Sequence, residues 1–200
     1  MAIDHYAALK YVIGLAASKT ELSDVIIRKI ASLIMDKTGS EISSMAGNFD
    51  SSKGDYRKVT ARAGNTTFMD YQKVPEKVNE LLNYINDTIN TVKGFQQINE
   101  LAFDAHFQMV SIHPFADGNG RLSRLLMNYV QHYHKIPLTA IYLENKSDYF
   151  TALEDTRNKK DITIFRKFMF DQTTKNLLEK IEELSQKQVS KKGKGMNFLF

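Results

Sequence analysis

Apolar side chains recur every three or four residues along most of this chain, which is the spacing of one face of an α-helix. Ser23 stands before one of these runs and is a suitable N-cap residue for it. The predicted helices cover residues 5–17, 23–35, 76–91 and 95–110, a segment from 121 to about 134, and residues 146–156 and 162–184. The pattern predicts an all-α fold of about seven or eight helices around one core.

The helical spacing fades between residues 39 and 73. Serine, glycine and asparagine residues predict a loop there, followed by two short runs of β-forming residues. Residues 56–60 and 66–69 can pair across a turn at residues 63–65, so we expect a small β-hairpin. From the pattern alone, an ordinary exposed hairpin explains this segment as well as a functional one does.

Composition narrows the class of protein. With 200 residues, of which 42% are hydrophobic, we expect one domain over residues 1–184, made of a helical N-terminal part (1–35) and a core (36–184). The sequence shows neither a long apolar run nor a leader-like segment, so we expect a cytoplasmic protein that does not associate with a membrane. The absence of cysteine excludes disulfides and thiolate chemistry.

The net charge of +4 comes from one end of the chain. Residues 185–200 contain four lysines and no acidic residue, so the rest of the chain carries equal numbers of basic and acidic side chains. We expect this segment to be a flexible basic tail. A balanced body argues against a nucleic-acid partner.

The most informative stretch runs from His113 to Arg124 and reads HPFADGNGRLSR. Pro114 disfavours the helical conformation for the residue before it, so the preceding helix should end here and present the imidazole from a loop. An imidazole titrates near neutral pH, which suits a general base. Phe115 is expected to anchor the loop in the core, and His106, on the preceding helix, is expected to be a structural residue.

The second half of this stretch predicts an anion site. Gly118 and Gly120 lead directly into a helix, whose first N–H groups and positive dipole end attract phosphate. Arg121 and Arg124 lie on one side of that helix, and guanidinium groups bind phosphate oxygens in pairs. Asp117 offers the hard oxygen ligand that Mg²⁺ prefers, with phosphates and water completing its shell.

The same stretch matches the signature H-P-F-x-[D/E]-G-N-G-R-x-x-R of the Fic family at every fixed position. Blocks at residues 5–12, 54–57 and 147–154 are also similar to the family, so the resemblance covers most of the chain to about residue 180. It implies a Fic-type helical bundle with a β-hairpin flap. Most Fic proteins transfer AMP from ATP to a Tyr, Thr or Ser hydroxyl of a target protein and release pyrophosphate.

The resemblance also implies a role for each residue of the signature. His113 would be the general base, and Asp117 would be a ligand of Mg²⁺ or Mn²⁺. The phosphate-binding turn would be formed by Gly118, Asn119 and Gly120. The outer phosphates would be bound by Arg121 and Arg124. Asn145 and Tyr149 correspond to the region where the family contacts adenine, although simple helix packing explains Tyr149 equally well.

In Fic proteins the segment after a G-x-Y-R block forms a flap over the active site, which points to residues 57–73 here. The exposed edge of a flap can pair with an extended segment of the target protein. The candidate docking residues are Arg57, Lys58, Val59, Thr60, Thr67 and Phe68.

The alternatives to AMP transfer are a kinase or other phosphodiester exchange, and a nucleotide-binding module without catalysis. A kinase of the related Doc type would have Ala-Asn-Lys where this chain has Gly-Asn-Gly, and a reversed nucleotide would give phosphorylation or another phosphodiester exchange. A nucleotide-binding module without catalysis would be expected to have lost His113 or Asp117 first, and both are present.

Many Fic proteins are inhibited by a helix with the motif [S/T]-x-x-x-E-[G/N], whose glutamate pairs with the second arginine of the signature. Only Glu144 is followed by Gly or Asn, and Ala140 stands where the motif needs Ser or Thr. We therefore expect Arg124 to lack an internal partner and the protein to modify its own hydroxyls. The chain would be a short form or a piece cut inside an inhibitory segment. Inhibition by a partner chain that supplies the glutamate is an alternative, and a homo-oligomer is also compatible with the sequence.

Overall fold

The computed structural model describes residues 2–64 and 66–192, and within these ranges the protein contains seven α-helices. They are α1 (Ala2–Ala17), α2 (Asp24–Met35), α3 (Val74–Ile89), α4 (Gly94–Ile112), α5 (Asn119–Tyr133), α6 (Lys146–Lys159) and α7 (Ile162–Lys192). The predicted all-α fold is confirmed. Ser23 caps α2 as predicted, since its side chain accepts a hydrogen bond from the Ile26 N–H.

The core is organised around α4. This helix packs against α3, α5 and α7, while α1 lies against α5 and α2. Phe103, Ala105 and Met109 of α4 are fully buried, as are Leu125 and Val130 of α5. The short loop that joins α4 to α5, which we call the motif loop (residues 113–118), is therefore held between the two helices at the centre of the fold.

Four short strands form two small antiparallel sheets. Strand β1 (Glu41–Ile42) pairs with β2 (Phe49–Asp50), and β3 (Arg62–Ala63) pairs with β4 (Thr66–Thr67). The predicted hairpin is thus present, but its first strand is not residues 56–60. That segment lies against the motif loop instead, and the Arg57 N–H donates to the Pro114 carbonyl at 3.0 Å.

The last helix is longer than predicted. Helix α7 continues to Lys192, whereas the sequence pattern places its end at residue 184. Residues 185–192 are mostly Gln and Lys, which favour helix, and contain neither Gly nor Pro; the first glycine is Gly193. The rest of the predicted tail, residues 193–200, lies outside the described residues, and the division into domain and tail stays a prediction.

None of the helices in the described part of the chain is both long and apolar enough to cross a membrane.

Gly54 lies in the segment before the β3–β4 hairpin, at a point where the backbone comes very close to α2. It has a φ of +74°, and a Cβ atom there would lie 2.0 Å from the Arg28 carbonyl oxygen of α2. Gly94 has the same φ but open space around it. We expect Gly54→Ala to lower the free energy of unfolding by about 3 kcal/mol or more, and the control Gly94→Ala by about 1 kcal/mol. Urea denaturation measures both; equal losses would contradict the close approach of Gly54 to α2.

Candidate active site

His113 stands at the end of α4 in a left-handed conformation, with φ 53° and ψ 58°. Its N–H donates to the Met109 carbonyl at 3.1 Å, which closes the last turn of the helix. The helix ends where the sequence predicts, but the backbone of His113 is not extended. A residue with a Cβ atom pays about 1–2 kcal/mol for this conformation, so other contacts must hold it.

The imidazole of His113 is fixed on two sides. Its Nδ1 lies 3.3 Å from the Val110 carbonyl oxygen, and since a carbonyl only accepts, Nδ1 carries the proton and Nε2 has a free lone pair. The Phe68 ring stacks on the imidazole, with the ring centroids 3.8 Å apart. This side chain thus has the protonation state and orientation of a general base.

Burial lowers the pKa of His113 to about 4. The hydrogen bond to the Val110 carbonyl opposes this shift, and the positive charges of Arg57 and Arg157 add to it. Asp117 raises the pKa by a smaller amount. The imidazole is therefore neutral at pH 7 and able to accept a proton.

The motif loop is closed by Asn119, a role that the sequence pattern did not reveal. The Asn119 side chain accepts from the Phe115 N–H at 2.9 Å and donates to the Phe115 carbonyl at 2.8 Å. Both residues are buried, and Phe115 is an anchor in the core as predicted. The Asn119 side chain is thus buried against the loop, and its backbone N–H is the group available to an anion.

Helix α5 begins at Asn119, directly after Gly118, which has a φ of +83°. The first backbone bond of the helix joins the Leu122 N–H to the Gly118 carbonyl at 2.9 Å. The N–H groups of Asn119, Gly120 and Arg121 consequently have no acceptor within the helix. Three N–H groups at a helix N-terminus form an anion site.

The two arginines of the signature differ in their surroundings. Arg121 donates to the Ile34 carbonyl at the end of α2 at 3.1 Å, and its guanidinium lies 3.6 Å from the Asp117 carboxylate. Arg124 is half-buried and makes no hydrogen bond or ion pair with any residue in the described ranges. Burial lowers the pKa of Arg124. A half-buried guanidinium without an acceptor favours binding of an anion.

His5 of α1 is a neighbour of these arginines that the sequence did not identify. Its Nδ1 is buried without a hydrogen-bond partner. Burial lowers the pKa of His5, and the charges of Arg124 and Arg121 lower it further. No local signal could reveal this, because the contact depends on how α1 packs against α5.

Asp117 is the candidate metal ligand. Its Oδ1 accepts from the Gly118 N–H at 2.5 Å, and its side chain is 73% exposed. Nowhere in residues 2–64 and 66–192 do three His, Asp or Glu side chains meet in a group that could hold a metal. A single exposed carboxylate fits a cation whose other ligands come from phosphates and water.

A cavity of about 370 Å³ opens beside His113. It lies between the β3–β4 hairpin and α6, and its lining is mostly apolar, with Phe68, Phe150, Leu153 and Arg157 among the lining residues. Its size and lining suit a planar, mostly apolar group such as a nucleobase.

Asn145 and Tyr149, the residues predicted to contact adenine, do not line this cavity. The Tyr149 hydroxyl lies 2.9 Å from Nε2 of His106 inside the core, so the simple packing alternative describes Tyr149. His106 is fully buried, and burial lowers its pKa to about 3, in agreement with a structural role.

The predicted flap residues fall into two groups. Lys58, Thr60 and Thr67 are exposed, Val59 is half-buried, and Phe68 is buried against His113. Arg57 is buried, with 1% of its surface exposed. The prediction that Arg57 contacts a target protein is therefore wrong, because its side chain is directed into the protein and all its guanidinium nitrogens donate to carbonyl groups.

The model of the Fic/DOC family matches residues 21–131 of this chain. Protein adenylyltransferase Fic of Aedes aegypti is 35% identical over 104 residues, which are 52% of this chain and 21% of that protein. Protein adenylyltransferase fic-1 of Caenorhabditis elegans is 28% identical over 144 residues, which are 65% of this chain and 27% of that protein. The chain spans only about a quarter of the length of these curated relatives.

Solved structures share the fold. Fic-1 from C. elegans superposes with a TM-score of 0.75 at 21% identity, covering 92% of this chain and 51% of that one. IbpAFic2 covalently tethered to Cdc42 has a TM-score of 0.54 at 18% identity, covering 72% of this chain and 45% of that one.

The low pKa of His113 can be tested in the absence of substrate. In an NMR titration of histidine-labelled protein, the His113 imidazole should stay neutral until the pH falls to about 4, because burial disfavours its charged form. The His113→Gln variant assigns the resonance. A midpoint near the ordinary value of 6.5 would contradict the buried position of the ring.

Proposed function

The chain belongs to the Fic/DOC family, and from this membership we propose that it transfers AMP from ATP to a Tyr, Thr or Ser hydroxyl of a target protein. One observation carries the proposal: the motif loop joins an imidazole with a free Nε2 to a helix N-terminus beside Arg124, which has no hydrogen-bond partner among the described residues. A base and a polyphosphate site at the two ends of one short loop are what nucleotidyl transfer to a hydroxyl requires.

The nucleotide is bound in three parts. The N–H groups at the start of α5 and the Arg124 guanidinium take the phosphates, and the Arg121 guanidinium closes the site beside α2. The cavity beside His113 takes the base, with the rings of Phe68 and Phe150 as apolar walls. Asn145 and Tyr149 are replaced in this proposal by the residues that line the cavity.

Asp117 would hold a Mg²⁺ or Mn²⁺ ion together with the phosphates. Its carboxylate is exposed at the phosphate site, and it keeps an oxygen that accepts no hydrogen bond from the motif loop. When bound, such an ion neutralises charge on the phosphate oxygens. Asp117 would act on the phosphates only through that ion, because two anionic groups repel each other.

His113 removes the proton of the target hydroxyl through Nε2. The hydroxyl oxygen then forms a bond to the α-phosphorus of ATP, and the bond from that phosphorus to the pyrophosphate oxygen breaks. The proton stays on His113, and pyrophosphate leaves with the electron pair. Donation of Nδ1–H to Val110 keeps the ring in the tautomer that this step needs.

The target protein docks through the hairpin. Lys58, Thr60 and Thr67 are the predicted flap residues with exposed side chains, and the short β3–β4 pair has an outer edge for an extended segment. Attachment of IbpAFic2 to Cdc42 in a related fold supports a protein as the acceptor. We also propose self-modification, because Arg124 has no carboxylate partner in the described ranges and the flap carries two exposed threonines, Thr60 and Thr67.

The cysteine-free composition agrees with a reducing compartment that contains ATP, and the cytoplasm is our proposed location. Intact-protein mass spectrometry after incubation with ATP and Mg²⁺ tests the reaction, on this protein and on candidate targets. A gain of whole AMP units supports AMP transfer. A gain of phosphate alone would show a kinase, and no gain despite nucleotide binding would show a binding module.

Replacing the base should slow transfer strongly. We expect His113→Ala to reduce the rate by about 100- to 10,000-fold, which is typical for loss of a general base, and to leave ATP binding nearly intact. Mass spectrometry measures the rate and calorimetry the binding. His132→Ala, on α5 but outside the site, is the control; a rate for His113→Ala equal to that of the control would remove His113 from the mechanism.

Replacing the metal ligand should change the metal requirement. Asp117→Asn keeps the shape and removes the charge, so we expect half-maximal transfer to need at least about tenfold more Mg²⁺. A magnesium titration of the rate measures this, with Asp148→Asn on the exposed surface of α6 as the control. An unchanged titration curve would mean that phosphates and water alone hold the ion.

Replacing Arg124 should discriminate between nucleotides. The guanidinium is assigned to an outer phosphate, and a hydrogen bond to a charged group contributes about 1.5–3 kcal/mol. Arg124→Ala should therefore weaken ATP binding by about tenfold or more and AMP binding by much less. Calorimetry with each nucleotide measures this; equal losses would show that Arg124 does not contact an outer phosphate.

A further inference from the structure

Arg57 is a buried cation that the proposed reaction does not use. Its three guanidinium nitrogens each donate to a different backbone carbonyl. Nε donates to His113 at 2.7 Å, one terminal nitrogen to Val59 at 2.8 Å, and the other to Met69 at 2.7 Å. Its own N–H donates to the Pro114 carbonyl at 3.0 Å. Four hydrogen bonds of one residue therefore reach the motif loop and both ends of the flap.

The partners of Arg57 are neutral carbonyl groups. Burial lowers the pKa of Arg57, and the charge of Asp70 opposes this, but no carboxylate in the described ranges lies within ion-pair distance of its guanidinium. A buried cation is costly unless its donors are satisfied. The three carbonyls are met by three separate nitrogens of one planar group. The three donors of a lysine ammonium all leave a single nitrogen, so lysine does not reproduce this arrangement.

The carbonyl that Nε holds belongs to the strained residue. His113 has a positive φ, which costs energy that surrounding contacts must offset. At the other side, the Met69 carbonyl follows Phe68, whose ring stacks on the His113 imidazole. Arg57 thus holds the backbone of His113, which carries the imidazole. It also holds the backbone at Met69, next to Phe68, whose ring stacks on the imidazole.

We propose that Arg57 is a positioning residue that joins the flap to the motif loop, so that the imidazole of His113 and the flap edge keep one fixed relative geometry. The consequence for catalysis rests on the proposed function. If the target segment binds to the flap, the Arg57 side chain aligns the target hydroxyl with His113, which takes the hydroxyl proton. Arg57 contacts neither nucleotide nor target.

The matched comparison is Arg28. It also links two segments near the flap, since Nε donates to the Gly54 carbonyl at 2.9 Å and its guanidinium pairs with Asp55. Among the described residues it makes no hydrogen bond to the motif loop or to Met69. Arg57→Lys and Arg28→Lys both keep the positive charge and both lose the planar group. Arg28 is the more exposed of the two, with 41% of its side chain accessible, so its variant is expected to lose less stability. Melting temperatures measure the loss in each variant, and both readouts are taken at a temperature where both variants are folded.

The first readout is the NMR titration of His113, which needs no activity. Arg57→Lys leaves positive charge at position 57, and leaves Arg157 and Asp117 in place. A change therefore reports exposure of the ring rather than a lost charge. We expect the His113 midpoint to rise by about one pH unit or more in Arg57→Lys and to stay unchanged in Arg28→Lys. An unchanged midpoint in a folded Arg57→Lys protein would overturn the proposal.

The second readout is transfer itself. Arg57→Lys should lower kcat by about tenfold or more, because misalignment of a base is costly, while the KM for ATP stays within about threefold since the start of α5 is not touched. An equal loss in Arg28→Lys would mean that Arg57 acts only through stability. If the midpoint of His113 shifts as expected but the unaltered protein transfers no AMP, then the positioning role stands and the proposed function fails.

Hydrogen exchange on the unaltered protein tests the same link without any variant. The Arg57 N–H is bonded to Pro114 and the Phe68 N–H to Ala61, so one reports the motif loop and the other the base of the flap. If Arg57 joins the two, both amides exchange through one shared opening with similar protection. Exchange of Phe68 about a hundredfold faster than that of Arg57 would show that the flap opens alone, and would overturn the proposal.

Discussion

The geometry of the site depends on the buried side chain of Asn119. Its amide accepts from the Phe115 N–H and donates to the Phe115 carbonyl, so it satisfies two backbone groups that would otherwise be buried without partners. The loop is thereby closed on itself, and Phe115 is held in the core. Because the side chain serves the loop, the first N–H groups of α5 are left for a ligand. An apolar residue of similar size would leave both Phe115 groups unsatisfied, which costs about 1–3 kcal/mol for each.

Arg57 and Arg124 show two different ways of placing a guanidinium inside this protein. Each nitrogen of the Arg57 guanidinium donates to a carbonyl and the residue is buried, so it contributes rigidity and is not accessible to a ligand. Arg124 has no acceptor among the described residues, so its charge is available to an anion. Their sequence contexts do not reveal this difference. It follows from what lies around each side chain: carbonyl groups of two irregular segments around Arg57, and a helix N-terminus beside Arg124.

The sequence predicted those parts of the fold that depend on neighbouring residues. Helical spacing predicted all seven helices in the described ranges, and the twelve-residue signature located the motif loop. The errors at Arg57 and at residues 56–60 have one cause in common. Arg57 was assigned to the surface, and residues 56–60 to a strand, because their partners His113 and Pro114 lie more than fifty positions away in the chain. The place of His5 near Arg124 and the lining of the cavity by Phe150 and Arg157 depend on helix packing in the same way.

The pKa of His113 connects these observations to catalysis. A base with a pKa of about 4 is neutral at pH 7, but it binds a proton weakly. Burial is the main cause of the low pKa, and the nearby charges of Arg57 and Arg157 add to it. A polyphosphate bound at α5 brings several negative charges close to the imidazole, and a nearby opposite charge favours the protonated form. In the proposed reaction, the anionic substrate would therefore raise the basicity of His113. In that reaction, His113 is thus a stronger base with the nucleotide bound than without it.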